Sequence, residues 1–81
     1  MAVLLGAIDL GSKYDALDYF HQSVLNEMKK TAKNKPTSYL KLAYKDLKSA
    51  YDKYGLKAKK LDNLYNEAQR KIILKEIKSR K

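Results

Sequence analysis

The 81-residue chain has no cysteine, no tryptophan, one proline and one histidine. Without cysteine it has neither a disulfide framework nor a thiolate metal site. The lone histidine, His21, excludes any site that needs two imidazole ligands. Because a chain this short buries only roughly 60% of its unfolded surface, its stability must come from helix packing, association or a bound partner.

Long hydrophobic runs are also absent, and no apolar segment is long enough to span a bilayer. The apolar start of the chain, residues 1–10, has no basic residues in front of it and contains Asp9. That composition is unlike a secretory signal peptide. We therefore expect an intracellular protein, in the cytoplasm or nucleoid, or one packaged inside a virion.

Acidic residues are scarce: nine stand against eighteen basic residues, which gives a net charge of +9. Residues 1–28 contain one basic and four acidic residues, a charge of −3, whereas residues 29–81 contain seventeen basic and five acidic residues, a charge of +12. A positive body of this kind attracts polyanions such as nucleic acid, an anionic membrane or an acidic protein. A lysine-rich surface that only maintains solubility is the simpler alternative.

Arginine is scarce as well, since sixteen of the eighteen cations are lysine. Lysine is a hydrated point charge, whereas arginine offers a planar fork that suits base edges. The composition therefore favours phosphate contacts over base reading. We expect any nucleic-acid binding to depend strongly on salt and weakly on sequence.

The apolar spacing predicts an all-α fold, either a three-helix bundle or a helical hairpin plus one helix, behind a short apolar N-terminal arm. We expect one small domain, 1–81, with an arm at 1–11 and helices at about 12–33, 38–54 and 57–79. Ser12 is expected to cap the first helix, with Asp15 beside its positive end. Gly55 stands where a left-handed cap residue would end the second helix. The short connection after it predicts a hairpin of the second and third helices.

Each predicted helix carries an apolar stripe at intervals of three or four residues. The stripes are Leu17, Phe20, Val24 and Met28, flanked by Tyr14, His21 and Leu25; then Leu40, Ala43, Tyr44, Leu47, Ala50, Tyr51 and Tyr54; then Leu61, Leu64, Tyr65, Ala68 and Ile72. Tyr19 and Tyr39 fall off the stripes, so we expect them on the surface.

A second apolar face is predicted near the end of the third helix. Ile73, Leu74 and Ile77 lie on the side away from Leu61 and Ile72 at about 100° per residue. An uncovered patch of this kind is an association site, so we expect the arm or a second copy to cover it. The predicted oligomer interface consists of Ile73, Leu74, Ile77, Leu4, Leu5 and Ile8.

Lysines repeat at helical spacing on the second and third helices. Like charges at this spacing repel by roughly a few tenths of a kcal/mol per pair, and an anion would relieve that repulsion. The predicted nucleic-acid contacts are Lys41, Lys45 and Lys48 on the second helix, Lys71, Lys75 and Lys78 on the third, and Lys57 and Lys60 at the start of the third.

The stretch GAIDLGSK (6–13) resembles the first phosphate-binding turn of the actin and sugar-kinase ATPases. That resemblance implies a following β-hairpin, but the next residues have a helical pattern, so we expect no nucleotide site. Asp15, Asp18 and His21 recur at one-turn spacing, which fits acids that complement a helix dipole better than a metal site. No nucleophile–base arrangement stands out, so we expect no enzyme, no cofactor, no metal and no small-molecule substrate.

Around Gly55 the hydrophobic spacing partly resembles two helical motifs. Ala50, Tyr54, Leu56, Leu61 and Leu64 fit a helix-turn-helix, although Tyr51 stands where a small residue is usual. Tyr44, Leu47, Tyr51 and Gly55 resemble the first half of a tetratricopeptide unit, and one unit is too few for a solenoid. Both partial resemblances indicate a tight helical hairpin with a glycine turn.

The sequence thus predicts a small non-enzymatic helical protein that binds nucleic acid or another polyanion through its lysine faces, as a homo-oligomer. The alternative is a helical protein–protein adaptor or a structural subunit, for example of a virion, whose lysines are only solvated. A membrane-surface role is third, since the basic residues do not lie opposite one clean apolar helix face. Phosphate binding requires basic faces that are contiguous in three dimensions, whereas an adaptor requires an exposed apolar groove.

Overall fold

The computed structural model of the protein describes Tyr14 and residues 16–80. Within this part of the chain the order of elements is α1 (Tyr19–Thr31), a 3₁₀ turn (Ala32–Asn34), α2 (Thr37–Tyr54) and α3 (Lys60–Ser79), with no strand. The predicted all-α fold is confirmed. The predicted arm, residues 1–11, lies outside the described residues.

Helix α1 begins at Tyr19 because Asp18 provides its cap. The Asp18 backbone is extended (φ −72°, ψ 173°), and its Oδ1 accepts a 2.8 Å hydrogen bond from the backbone N–H of His21. Just before it, the Leu17 N–H donates to the Tyr14 carbonyl at 3.1 Å and closes a separate turn. The predicted helix start near residue 12 is therefore corrected, and Ser12 itself lies outside the described residues.

The connection between α2 and α3 is tight because Gly55 lies against the preceding turn. A Cβ at this position would collide with the Tyr51 carbonyl oxygen, so a glycine is needed there. Its backbone is right-handed (φ −57°, ψ −37°), which corrects the prediction of a left-handed cap. The Asn63 side-chain amide donates to the Gly55 carbonyl at 2.7 Å, and the Asn66 amide donates to the Leu47 carbonyl at 3.0 Å. These bonds hold α2 and α3 as an antiparallel hairpin.

Helix α3 supports two separate hydrophobic clusters, and both α1 and α2 pack against it while making few direct contacts with each other. The first cluster consists of Tyr14, Leu17, Leu25, Ala68 and Ile72; the second consists of Ala32, Leu40 and Ile73. Ile72 and Ile73 are adjacent in sequence, and because helical neighbours differ by about 100° they enter different clusters. Met28 packs against both.

Part of the second face of α3 is covered within the chain, so Ile73 is not the exposed interface residue that was predicted. Ile73 is 3% exposed in the second cluster, and Ile77 packs against that cluster. Leu74 is partly buried. The cover is α2 and the 3₁₀ turn, because the antiparallel hairpin lays Leu40 on this face. The predicted arm residues of the interface, Leu4, Leu5 and Ile8, lie outside the described residues.

Several predicted stripe residues are exposed instead of buried. Phe20 is 69% exposed, and Tyr51, Tyr54 and Leu61 are also on the surface. Ala50 is exposed as well. These positions lie outside both hydrophobic clusters, so no neighbouring helix covers them. Tyr19 and Tyr39 are exposed, as predicted.

Candidate functional site

The two sides of α2 differ in chemistry. Lys41, Lys45 and Lys48 are exposed on one side of the buried line that begins at Leu40. At 100° per residue, Asp46 lies on the other side, where it lines a groove. The lysine triplet of α2 therefore lies on the side away from this groove.

The same division holds for α3. Gln69 and Ile73 form the floor of the groove. Lys71, Lys75 and Lys78 lie about 120° to 180° around the helix from Gln69. Since α2 and α3 are antiparallel and share the groove on one side, both lysine triplets lie on the opposite side of the hairpin.

The groove, which we call the open groove, lies between α1 and α2 and has a volume of about 330 Å³. Its lining residues are Met28, Thr31, Ala32, Lys35, Tyr39, Leu40, Ala43, Asp46, Leu47, Gln69 and Ile73. Only two of these are charged, so the walls are mainly apolar. The groove exists because α1 and α2 each pack on α3 and leave the space between them unfilled.

The Tyr51 ring joins the cations of α2 to those of α3. Lys48 Nζ lies 5.9 Å from the centroid of this ring, and Arg70 Cζ lies 4.9 Å from it. The Asn66 side-chain oxygen accepts a 2.7 Å hydrogen bond from Arg70 Nε and fixes the guanidinium. One half-exposed aromatic ring therefore contacts one cation from each of two helices.

The cations of α3 extend to α1 through Lys29. The pKa of Lys29 is lowered, first because the ammonium is partly buried and second because the charge of Lys75 lies nearby. One turn before Lys75 in α3, Lys71 Nζ lies 5.4 Å from the centroid of the Tyr14 ring. The sequence analysis did not identify Lys29 or Arg70 as members of this group. No local pattern shows which lysine of α1 faces α3, or which residue of α3 contacts the Tyr51 ring.

These contacts, together with the helical positions given above, group the cations of three helices into what we call the basic face. Its members are Lys29, Lys41, Lys45, Lys48, Arg70, Lys71, Lys75 and Lys78. Lys48 also pairs with Asp52 at 2.6 Å, but both side chains are about half exposed, so water and salt weaken that pair. Glu67 lies on the same side of α3.

Two of the predicted phosphate contacts lie elsewhere. Lys57 belongs to the connection after α2, and Lys60 is the first residue of α3. They flank Leu56 at the end of the hairpin, together with Lys53 and Lys59. The structure therefore does not place them with the basic face.

The predicted acid–histidine grouping serves to start α1. Asp18 Oδ1 lies 2.7 Å from His21 Nδ1, and the pKa of Asp18 is lowered, chiefly by the backbone N–H bond from His21 and next by the imidazole. The described residues hold no group of three side chains suited to bind a metal, and Asp15 is outside them. Among the described helices, none is both long and apolar enough to cross a membrane.

Comparison of the chain with protein families, curated proteins and solved structures gives no match. The functional interpretation therefore depends on the chemistry of the basic face, the open groove and the end of the hairpin.

Proposed function

We propose that the protein binds nucleic acid, or a comparable polyanion, through the basic face and catalyses no reaction. The observation that supports this proposal most directly is the contiguity of cations from α1, α2 and α3. The Tyr51 ring contacts both Lys48 of α2 and Arg70 of α3, and the charge of Lys75 acts on Lys29 of α1. A location inside the cell or a virion, where nucleic acid is present, belongs to the same proposal.

The chemistry of the basic face suits phosphates. Lysine ammoniums neutralise phosphate charge, and the release of condensed counterions drives binding. The repulsion between Lys29 and Lys75 would fall when an anion lies between them. Arg70 is the single guanidinium of the basic face, and Asn66 and Tyr51 already engage it. Base reading is therefore a minor contribution, and we expect weak sequence preference.

The test is fluorescence anisotropy of a labelled random duplex, and of a single strand, titrated with the protein at several salt concentrations. We expect log affinity to fall steeply and linearly with log salt. Each phosphate contact that is lost should reduce the slope by about one. A variant with Lys41, Lys45 and Lys48 all changed to Gln should therefore show a slope reduced by about three units.

The control removes the same charge from outside the basic face. Lys30 lies in the last turn of α1, and Lys33 and Lys35 lie in the connection that follows it; their triple Gln variant should keep nearly the whole slope. Equal effects of the two triple variants would show that net charge alone drives binding. The absence of binding at low salt would overturn the proposal.

The open groove supports a second candidate, a helical protein–protein adaptor or structural subunit. An apolar groove between two helices accepts the apolar face of a partner helix. Homo-oligomerisation remains part of the main proposal, because linked copies multiply a weak phosphate contact through avidity. Absence of nucleic-acid binding at low salt would leave the adaptor as the better reading.

A further inference from the structure

The end of the α2–α3 hairpin, which we call the hairpin tip, exposes apolar side chains among lysines. Leu56 is fully exposed, Tyr54 is 57% exposed and Leu61 is about half exposed. The tip comprises Tyr54, Leu56 and Leu61 with Lys53, Lys57, Lys59 and Lys60. Scattered exposed leucines are ordinary, but here three large exposed apolar residues lie within residues 54–61, around the connection of α2 and α3.

The turn that presents Leu56 is well bonded. The Tyr54 carbonyl accepts hydrogen bonds from the N–H groups of Lys57 and Ala58, both at 3.0 Å. The Gly55 carbonyl accepts a bond from the Asn63 amide at 2.7 Å. The Tyr54 and Gly55 carbonyls therefore lose little when water is removed, whereas the first N–H groups of α3 have no side-chain cap, which restricts the tip to the hydrated interface of a bilayer.

The charge around the tip is mainly positive, and Asp62 in the first turn of α3 is the carboxylate that borders it on that side. Residues 53–61 contain four lysines and no acidic residue. On the α2 side the nearest carboxylate, Asp52, is already paired with Lys48 at 2.6 Å. Lys53 Nζ lies 5.5 Å from the centroid of the Tyr54 ring, so a cation and an exposed ring occupy the same place.

We infer that the hairpin tip inserts into the interfacial region of an anionic lipid bilayer. A nucleic acid satisfies the lysines, but it accepts a protruding aliphatic side chain between its bases only where they unstack, which costs energy. A bilayer interface supplies anionic headgroups and acyl chains together, and it fits a convex shape without a matching pocket. Lysine stems extend along apolar surface toward the headgroups, and tyrosine favours this depth.

The attachment is peripheral. Leu56 and Tyr54 penetrate the interface, while the four lysines contact anionic headgroups at roughly a fivefold gain in affinity each. The hairpin tip shares no residue with the basic face, so membrane binding and nucleic-acid binding are separable. One property can fail while the other holds.

The test measures co-sedimentation with vesicles of phosphatidylcholine alone and of phosphatidylcholine with about one-third phosphatidylserine. We expect binding to the anionic vesicles. Leu56→Gln keeps the charge and should weaken that binding by about tenfold, because a buried leucine side chain is lost. Leu42→Gln is the matched control, since Leu42 is an exposed leucine of α2 away from the tip, and it should bind as the parent chain does.

A second measurement reports insertion directly. The chain has no tryptophan, so Tyr54→Trp introduces a single indole at the tip, and Tyr39→Trp introduces one on another exposed site. Anionic vesicles should shift the emission of the Tyr54→Trp chain to shorter wavelength and leave that of the Tyr39→Trp chain unchanged.

Three results would overturn the inference. Equal losses of vesicle binding in the Leu56 and Leu42 variants, or no emission shift for a tryptophan at position 54, would leave charge attraction through the basic face as the explanation of any binding. Lack of binding to anionic vesicles would overturn the inference and favour a partner protein whose acidic pocket binds the tip. The duplex titration, repeated with Leu56→Gln, should be unaffected, which separates this result from the fate of the nucleic-acid proposal.

Discussion

Asp18 shows how a single side chain fixes the start of a helix. Its carboxylate accepts the backbone N–H of His21 and contacts the imidazole of the same residue, so an orphan donor of the first turn is satisfied. The sequence offers three oxygen-bearing side chains in this region, at positions 12, 15 and 18. Which of them becomes the cap depends on where Leu17 and Tyr14 are buried, and that is a tertiary property.

The lowered pKa of Asp18 predicts a pH dependence of stability. The folded pKa is below the unfolded value, so this contribution is present above about pH 4 and is lost as the pH falls through the folded pKa. Asp18→Asn keeps a capping side chain but cannot titrate, so its melting temperature should lack this part of the acid-induced fall. Thermal unfolding followed by circular dichroism at neutral and acidic pH measures the difference.

The matched variant for this comparison is Asp18→Ala, which removes the cap at every pH. Its melting temperature should be lower than that of the parent chain at neutral pH, and the two should converge in acid. Identical pH profiles for the parent and Asp18→Asn would contradict the assignment of this titration to Asp18.

At the scale of elements, Arg80 fastens the end of α3 to the beginning of α2. Its guanidinium donates to the Thr37 hydroxyl and to the Ala32 carbonyl, both at 3.0 Å, and pairs with Glu76 at 3.0 Å. The Arg80 and Glu76 side chains are 23% and 17% exposed, so the pair is partly shielded from water. The fork geometry of arginine lets one side chain reach three elements.

Removing this contact should destabilise the fold measurably. Arg80→Ala is expected to lower the free energy of unfolding by about 2 kcal/mol, because several charge-assisted hydrogen bonds are lost. The free energy of unfolding of Arg80→Lys should lie between those of Arg80→Ala and the parent chain, since an ammonium keeps the charge but lacks the planar fork of arginine. Urea unfolding gives these values, with Lys78→Ala as a control that removes the same charge from an exposed position. A loss in Arg80→Ala no greater than in the control would contradict the role.

The sequence predicted the helices well because their signals are local. Periodic apolar residues, Pro36 and Gly55 mark the ends of α1, α2 and α3 to within a few residues, apart from the start of α1. The second apolar face of α3 was also predicted from spacing. Its cover was predicted incorrectly, because contact between Leu40 and Ile73 depends on how the hairpin packs and leaves no local trace.

At the scale of the whole molecule, the surface divides by chemistry. The described part of the protein is a flat body of 34 × 33 × 18 Å. The basic face lies on one side of the α2–α3 hairpin, the open groove on the other, and the hairpin tip at the end. The lysine triplets of α2 and α3 were predicted from helical spacing. The sequence does not show that Lys29 and Arg70 join these triplets, or that Lys57 and Lys60 lie apart from them. Both depend on how the three helices pack.

The dependence of both hydrophobic clusters on α3 has a consequence for hydrogen exchange. Ala68 and Ile72 belong to one cluster and Ile73 to the other, so this short segment is protected from two sides. Helices α1 and α2 can detach from α3 one at a time, since they make few contacts with each other. The amides of residues 68–73 should therefore exchange only through global unfolding, while those of α1 and α2 exchange earlier through two independent partial openings.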